Sequence, residues 1–176
     1  MSILATITKN GRAAFAAALA GKPLHLAWGT GDPAWDTDPS SVPSLVNATT
    51  LVAEVGRRTV TQIGFVVADP DGDIVIPTGT TSSGNVQESR YRLVTEPTPN
   101  LYLRVAYQFG DAANLTIREM AIFSDTQTNP ELPPGQRYFT PGELVAPGIL
   151  VAAQILDTPI KRSPSVRQTE EFVLAL

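Results

Sequence analysis

The sequence contains no cysteine and only one histidine, and both scarcities narrow the kinds of site it can hold. Without cysteine there is no disulfide framework, no thiolate nucleophile and no cysteine-based zinc site. His25 alone cannot build a multi-histidine metal site, and no Gly-x-Ser-x-Gly elbow is present to complete a serine triad. We therefore expect no catalytic residues, no metal and no cofactor. His25 is interpreted as a strand residue that is hydrogen-bonded to backbone.

Positive charge is also scarce, with 13 Lys and Arg residues against 17 Asp and Glu residues. Nucleic-acid binding needs clustered basic residues that neutralise phosphates, so we expect no nucleic-acid partner. Charged residues make up 17% of the chain, whereas soluble proteins commonly carry about a quarter. This composition favours a surface that is partly covered by neighbours, and it predicts a homo-oligomer or a heteromeric complex.

Long hydrophobic runs are missing as well. No stretch approaches the roughly 20 apolar residues that are needed to cross a bilayer. The N-terminus also lacks the succession of charged, apolar and small residues that defines a signal peptide. We therefore expect no membrane insertion, and a chain that folds in a cytoplasm.

Proline and glycine, in contrast, are abundant, with 15 and 13 residues. Both residue types punctuate strands and stiffen the connections between them. A length of 176 residues suits one domain with a sizeable core. We predict a single domain, residues 1–176, of the mainly β (α+β) class. Its expected form is an antiparallel β-sandwich-like domain with one N-terminal α-helix and long Pro/Gly-rich loops.

The helix is predicted within residues 7–21, where alanines dominate. Thr8 or Asn10 is suited to cap its start, and Gly21 is suited to end it in a left-handed conformation. Phe15 and Leu19 lie four residues apart and share a face, which predicts packing against a sheet.

Two hairpins are predicted from alternating apolar residues. Residues 101–109 alternate with period two, and a polar turn at 110–114 joins them to residues 115–123, which are apolar on both faces and should form a central strand. Residues 59–68 and 74–76 form the second predicted hairpin around the turn 69–73. Further strands are expected at residues 149–156 and at the apolar C-terminal segment 171–176.

Glu119 is an anomaly in the predicted central strand, because it shares a face with Ile117, Ala121 and Phe123. A buried carboxylate costs several kcal/mol, as an order of magnitude, unless it is paired or protonated. We therefore predict that Glu119 is buried and forms a structural ion pair with an arginine. The candidates are Arg57, Arg58 and Arg104.

Four segments of the chain lie at residues 8–14, 24–31, 51–58 and 114–123. In sequence and in order they resemble segments of bacteriophage tail-collar fibre and baseplate adaptor proteins. Asn114–Phe123 is similar to the I-x-E-hydrophobic-G-hydrophobic-F segment of that family, with Ala121 where the family usually has glycine. Thr8–Ala14, Leu24–Gly31 and Leu51–Arg58 precede it in the family's order. Together these segments span most of the chain.

The resemblance implies a non-enzymatic structural subunit of a bacteriophage tail. The protein would act as a baseplate or tail-fibre adaptor that connects fibres to the tail, after assembly in the host cytoplasm. Its partners would be phage baseplate and tail-fibre proteins, and the resemblance suggests a trimer. Since the family's long shaft and receptor-binding tip do not follow here, we expect a separate adaptor rather than a receptor-binding fibre.

Partner contacts are predicted at stretches that lack core periodicity yet exceed the usual connection of about 4 to 6 residues. These stretches are residues 32–44, 78–88, 124–142 and the C-terminal segment. Trp35 either folds back onto the domain or anchors a partner, since Trp is favoured at interface centres. The predicted partner-binding residues are Trp35, Tyr138, Phe139, Phe172 and Leu174.

Two other function classes compete with the adaptor. A carbohydrate-binding module for host-surface recognition would need stacking platforms, which the aromatic residues offer. A hydrolase of cell-wall polymers would need acid, base or metal groups, which the sequence does not offer. Asp69, Asp71 and Asp73 lack the glycine and glutamate spacing of a calcium loop, and we interpret them as a turn. The candidate stacking residues are Trp28, Trp35, Tyr91, Tyr102, Tyr107 and Tyr138.

Overall fold

A computed structural model describes residues 5–80 and 86–176 of the chain. Strands dominate it, and short 3-10 turns cover Pro33–Asp36, Pro39–Ser41 and Pro141–Glu143. The remaining elements, in chain order, are helix α1 (Lys9–Ala20) and strands β1 (Leu24–Gly29), β2 (Glu54–Thr59), β3 (Gln62–Ala68), β4 (Ile74–Thr80), β5 (Val86–Val94), β6 (Asn100–Tyr107), β7 (Thr116–Ser124), β8 (Gln127–Thr128), β9 (Tyr138–Phe139), β10 (Leu144–Ala146), β11 (Ile149–Lys161) and β12 (Gln168–Ala175).

The predicted fold class is confirmed. The described residues are mainly β, with one α-helix and antiparallel pairing between neighbouring strands. Within these residues no helix is both long and apolar enough to cross a membrane. The chain divides into two compact units. The prediction that residues 1–176 form a single domain stays a prediction.

The first unit takes its described residues from 5–21, 62–80, 86–104 and 171–176. Its sheet has the strand order β12-β6-β3-β5-β4. Val66, Ile76 and Tyr102 are buried at its centre, and the half-buried side chains of Tyr91 and Val173 pack against them. This core is built from aliphatic and aromatic side chains.

The second predicted hairpin is wrong, because β5 lies between β3 and β4. Phe65 to Ala68 pair with Val94 to Tyr91, and β4 pairs with the other edge of β5. The turn after β3 is present, with the Gly72 amide donating to the Asp69 carbonyl at 2.9 Å. A Cβ atom on Gly72 would collide with the Tyr91 backbone, so the turn closes directly over β5. The predicted loop 78–88 also begins and ends in strand, and its residues 81–85 lie outside the described residues.

Helix α1 begins as expected. The Thr8 hydroxyl accepts a hydrogen bond from the Gly11 amide at 3.1 Å, which satisfies one of the helix's first amides. Gly21 ends the helix, but with φ at -77° rather than in the predicted left-handed conformation. Its amide closes the last turn on the Ala17 carbonyl. Ala16 is the buried residue of the helix, whereas Phe15 is exposed.

The second unit takes residues 22–61 and 105–170. Its sheet has the strand order β11-β7-β1-β2-β9, and β8 and β10 form a separate two-stranded pair. The prediction that residues 115–123 form a central strand is confirmed, since β7 lies between β1 and β11. Its buried side chains include Ile117, Glu119, Ala121 and Phe123, as the alternation predicts. All residues of β1 are buried, including Trp28, whose ring stacks on Tyr107 at 3.4 Å between centroids.

The first predicted hairpin is wrong, because β6 and β7 belong to different sheets. The residues between them do not form a simple hairpin turn. Asp111 is buried, and its carboxylate accepts from Arg58 at 2.6 Å and from the Gln108 amide at 2.7 Å. Arg162 donates to the Gln108 carbonyl at 2.8 Å. Two buried or half-buried arginines therefore anchor this connection within the second unit.

Candidate partner-binding site

Residues 32–42, within the predicted partner-contact stretch 32–44, form an ordered structure of two 3-10 turns. Two Asp-Pro pairs each start a 3-10 turn, because the aspartate accepts from a backbone amide two residues later and proline favours the first turn position. The Asp32 carboxylate accepts from Ala34 at 2.8 Å, and that of Asp38 accepts from Ser40 at 2.9 Å. Local hydrogen bonds therefore fix a segment that contains no buried residue.

Trp35 lies in the first of these turns and is half-buried. Its ring lies against Gly31, where a Cβ atom would collide with the indole. Gly31 has a φ of 53°, a left-handed conformation that favours glycine. The ring folds back onto its own unit, and part of it stays accessible. The partner-anchoring half of the Trp35 alternative stays a prediction.

Arg118 of β7 fixes the end of the same turn. Its Nε and Nη2 atoms donate to the two carboxylate oxygens of Asp36 at 2.8 and 2.9 Å, and its Nη1 donates to the Thr30 carbonyl at 3.1 Å. These bonds from Arg118, more than the neighbouring charge of Lys161, hold the pKa of Asp36 below its usual range. Asp36 therefore stays ionised and stays bound to Arg118 at neutral pH.

A bulge in β11 forms the opposite wall. Ile155 pairs with Glu119 and Ile160 pairs with Ile117, so that residues 156–159 stand opposite Arg118 alone. Bulges of this kind re-aim side chains at sheet edges. Between the bulge and the turns lies an open cleft of about 360 Å³, which we call the Trp35 cleft. It is lined by Trp35, Asp36, Pro39, Val42, Arg118, Ile155, Leu156, Asp157 and Pro159.

Comparison with known families gives one finding for the whole chain. The family described as "Baseplate wedge 3 tail fiber network component" matches residues 4–176. The chain belongs to this family. The resemblance to phage baseplate and tail-fibre proteins is thereby confirmed, and the family places this baseplate component in the virion tail. No curated protein matches the chain.

Glu119 of this baseplate component is buried, with 2% of its surface exposed, but its partners are not arginines. Its carboxylate accepts from the Val52 amide at 3.0 Å and from the Ala53 amide at 2.7 Å. It also lies so close to Gly29 that a Cβ atom there would collide with it. This corrects the expected ion pair. Two charge-assisted bonds to backbone satisfy a carboxylate as well as an arginine does.

The three candidate arginines bind other carboxylates. Arg57 forms a bidentate pair with Glu54, at 2.8 and 2.7 Å. Its guanidinium lies 3.8 Å from the centroid of the Phe123 ring. Arg58 pairs with Asp111, and Arg104 pairs with Glu171.

The other predicted anchors lie outside the Trp35 cleft. Phe139 is 7% exposed and packs edge-on against His25, so the expectation that it reaches a partner is corrected. Tyr138 is half-buried, and its hydroxyl donates to the Val55 carbonyl at 3.3 Å. Phe172 and Leu174 are half-buried in β12, at the edge of the first unit's sheet. The partner-binding roles of Tyr138, Phe172 and Leu174 stay predictions.

Burial removes several of the proposed sugar-stacking platforms from contact with a ligand. Trp28, Tyr102 and Tyr107 are buried, and the Tyr107 hydroxyl donates to the Leu26 carbonyl at 2.7 Å. His25 is also buried, but its Nε2 lies 3.3 Å from the Thr59 hydroxyl rather than on backbone. Among the described residues no group of three or more acidic or histidine side chains is placed to hold a metal ion.

Five lining residues of the cleft lie outside the predicted contact stretches, and the two charged ones are Arg118 and Asp157. Arg118 alternates with the buried Ile117 and Glu119, so its place on the other face of β7 was a usable signal. Asp157 carried no such signal, because its direction depends on the register shift within β11.

Proposed function

We propose that this baseplate component is a non-enzymatic adaptor that joins tail-fibre chains to the baseplate. The family match supports the location, and the Trp35 cleft is the observation that supports an adaptor. A segment of two 3-10 turns is held by caps and by Arg118, although it contributes no buried residue to a core. Ordering such a segment costs conformational entropy. The ordered turns hold the partly accessible ring of Trp35 at a fixed position, as an anchor for a partner requires.

The proposal includes association with other baseplate and tail-fibre proteins, with a homotrimer as the expected form of self-association. Large apolar side chains are exposed in both units, among them Phe15 and Ile7 in the first and Val145 and Ile149 in the second. Exposed apolar side chains of this size are available for contact with neighbouring chains. These residues support association in general.

Incorporation into phage tails tests the proposal. A phage lacking its own copy of the gene would be supplied with the wild-type chain or with Trp35→Ala, and purified tails would be analysed by mass spectrometry. We expect Trp35→Ala to keep its fold and to lose at least about tenfold in incorporation, since a central aromatic anchor contributes on the order of 1.5 to 3 kcal/mol.

Phe109→Ala is the matched control, because Phe109 is an aromatic residue of the second unit that is 44% exposed and lies outside the cleft. It should incorporate like the wild type. Normal incorporation of Trp35→Ala would refute the adaptor role of the cleft. Glycan binding by the isolated protein, lost in Trp35→Ala, would support the carbohydrate-binding alternative instead.

A further inference from the structure

We propose that the Trp35 cleft binds a basic side chain, an arginine or lysine presented by another chain of the baseplate. Its aliphatic stem would lie on Trp35 and Leu156, and its charged end would pair with Asp157. This inference rests on the adaptor function proposed above and names the chemistry of the partner.

The cleft has the shape and lining that a long amphipathic side chain requires. Its walls are apolar at Trp35, Val42 and Leu156, and Val42 is 38% exposed. A volume of about 360 Å³ exceeds what one side chain fills, so neighbouring backbone of the partner can enter too. Lysine and arginine place their methylene stems on such apolar surfaces and keep the charge at the rim. A guanidinium beside Trp also gains a cation-π attraction.

The charges around the cleft favour a cation. Asp36 is already neutralised by its bidentate bond to Arg118. Asp157 is exposed in the β11 bulge. Among the described residues, 5–80 and 86–176, it forms no ion pair. Asp32 adds a further negative charge near Arg118. Lys161 also acts on Asp36, so Arg118 and Lys161 stand against the three carboxylates, which leaves an excess of one negative charge. Because Asp157 is the carboxylate outside these ion pairs, this excess favours a basic group over phosphate and carboxylate ligands.

Side-chain capture fits this edge better than strand addition does. A partner strand would have to continue the ladder along β11, where Pro159 has no amide hydrogen to donate and the register shifts between Ile155 and Ile160. Bulges and prolines are common devices that stop edge strands from pairing. The same bulge presents Asp157 and Leu156 to the cleft. The geometry therefore points to recognition through one inserted side chain.

Nuclear magnetic resonance titration of the isolated protein tests the inference. The probe is the peptide acetyl-Gly-Arg-Gly-amide, and its matched control is the same peptide with citrulline, which has the shape of arginine without the charge. The indole N–H signal of Trp35 is the readout, and that of the buried Trp28 is the internal reference. Trp35→Phe assigns the two signals.

We expect the arginine peptide to shift the Trp35 signal and to bind roughly threefold to tenfold more tightly than the citrulline peptide, the range for a partly exposed ionic and cation-π contact. Added salt should weaken the binding of the arginine peptide. Asp157→Asn should abolish the difference between the peptides. Asp73→Asn, an exposed aspartate of the first unit, should leave the difference unchanged.

Equal shifts by both peptides, or a Trp35 signal that responds only to a neutral monosaccharide, would overturn the inference. So would self-association of the chain that Asp157→Asn abolishes, because a second copy of this chain would then occupy the cleft. The titration needs no phage, so it can fail while Trp35→Ala still blocks incorporation into tails. The two proposals therefore fail separately.

Discussion

The two units differ in what they bury. Among the described residues, every buried charged or polar side chain belongs to the second unit, whereas the first unit buries apolar residues and one tyrosine. The second unit also contains the longer irregular connections, whose backbone groups need hydrogen-bond partners. Buried arginines and carboxylates provide those partners. Polar burial here fixes loops in place, while apolar burial holds a simpler sheet together. The buried polar set is His25, Arg57, Asp111, Glu119, Ser124 and Arg162.

Glu119→Ala should give the largest effect and should affect the second unit. The substitution leaves the Val52 and Ala53 amides without their acceptor and opens a cavity beside Gly29. We expect a loss of about 3 to 5 kcal/mol in the free energy of unfolding, measured by chemical denaturation, since each charge-assisted bond contributes about 1.5 to 3 kcal/mol.

Two control variants sharpen this test. Glu119→Gln keeps an acceptor oxygen and should lose less than Glu119→Ala. Glu131→Ala removes an exposed carboxylate of the same unit and should change stability by less than about 0.5 kcal/mol. If Glu119→Ala were no more destabilising than Glu131→Ala, polar burial would not be what holds the second unit's loops.

A lower pH should reduce the stability of the second unit, because His25 is buried there in its neutral form. Burial, aided by the charge of Arg57, lowers the pKa of His25 to about 4, whereas the unfolded chain has the ordinary value of about 6.5. Between these values the unfolded state binds the proton first, so stability falls as the pH falls from about 6.5 towards 4, by up to about 3 kcal/mol.

Comparison of the wild type with His25→Gln isolates this effect. The variant should lack the histidine's share of the acid loss, while the carboxylates titrate in both proteins. Hydrogen exchange of β1 and β7 amides reports the second unit, and that of β3 and β5 reports the first. Equal loss of protection in both units would show that they unfold together as one domain. Identical acid sensitivity of the two proteins would disprove the role of His25.

Val66→Ala should have the smallest effect of the three. Val66 is fully buried in the apolar core of the first unit. Removal of two methyl groups, with the cavity that remains, costs about 2 kcal/mol. Among the described residues, the one buried ionisable side chain in the core around Val66 is Tyr102, and burial raises its pKa to about 12. Because Tyr102 does not titrate between pH 5 and pH 7, the loss should be the same at both values. A loss that grows with acid would mean that the contrast between the two cores is false.

The sequence predicted the helix and the strands better than it predicted which strands pair with each other. Period-two alternation correctly predicted the buried face of β7 and its central position, and Thr8 correctly predicted the start of α1. Both hairpin predictions were wrong because they assumed that strands adjacent in sequence pair with each other. β5 is closed over by the turn at Gly72, and the connection after β6 is fixed by Arg58 and Arg162, which are distant in sequence.

The site was predictable only in part, for a related reason. Trp35 stood out as an aromatic residue among prolines and aspartates, and the Asp-Pro pairs marked turns. The partners of Glu119 are backbone amides, which every residue except proline carries, so no residue type could reveal them. Asp157 joins the cleft through a register shift that depends on β7. Local patterns therefore found the turns, and long-range pairing decided what they face.

The strand order of the second unit has a consequence for the chain as it leaves the ribosome. β1 is buried along its whole length, and one of its neighbours, β7, ends only at Ser124. Until that residue has emerged, one edge of an apolar strand remains unpaired. The strands β3 to β6 are made in the meantime, and their mutual contacts are more local. We expect fast formation of the β3 to β6 sheet and a slow step at β7, during which the nascent chain is most prone to aggregate.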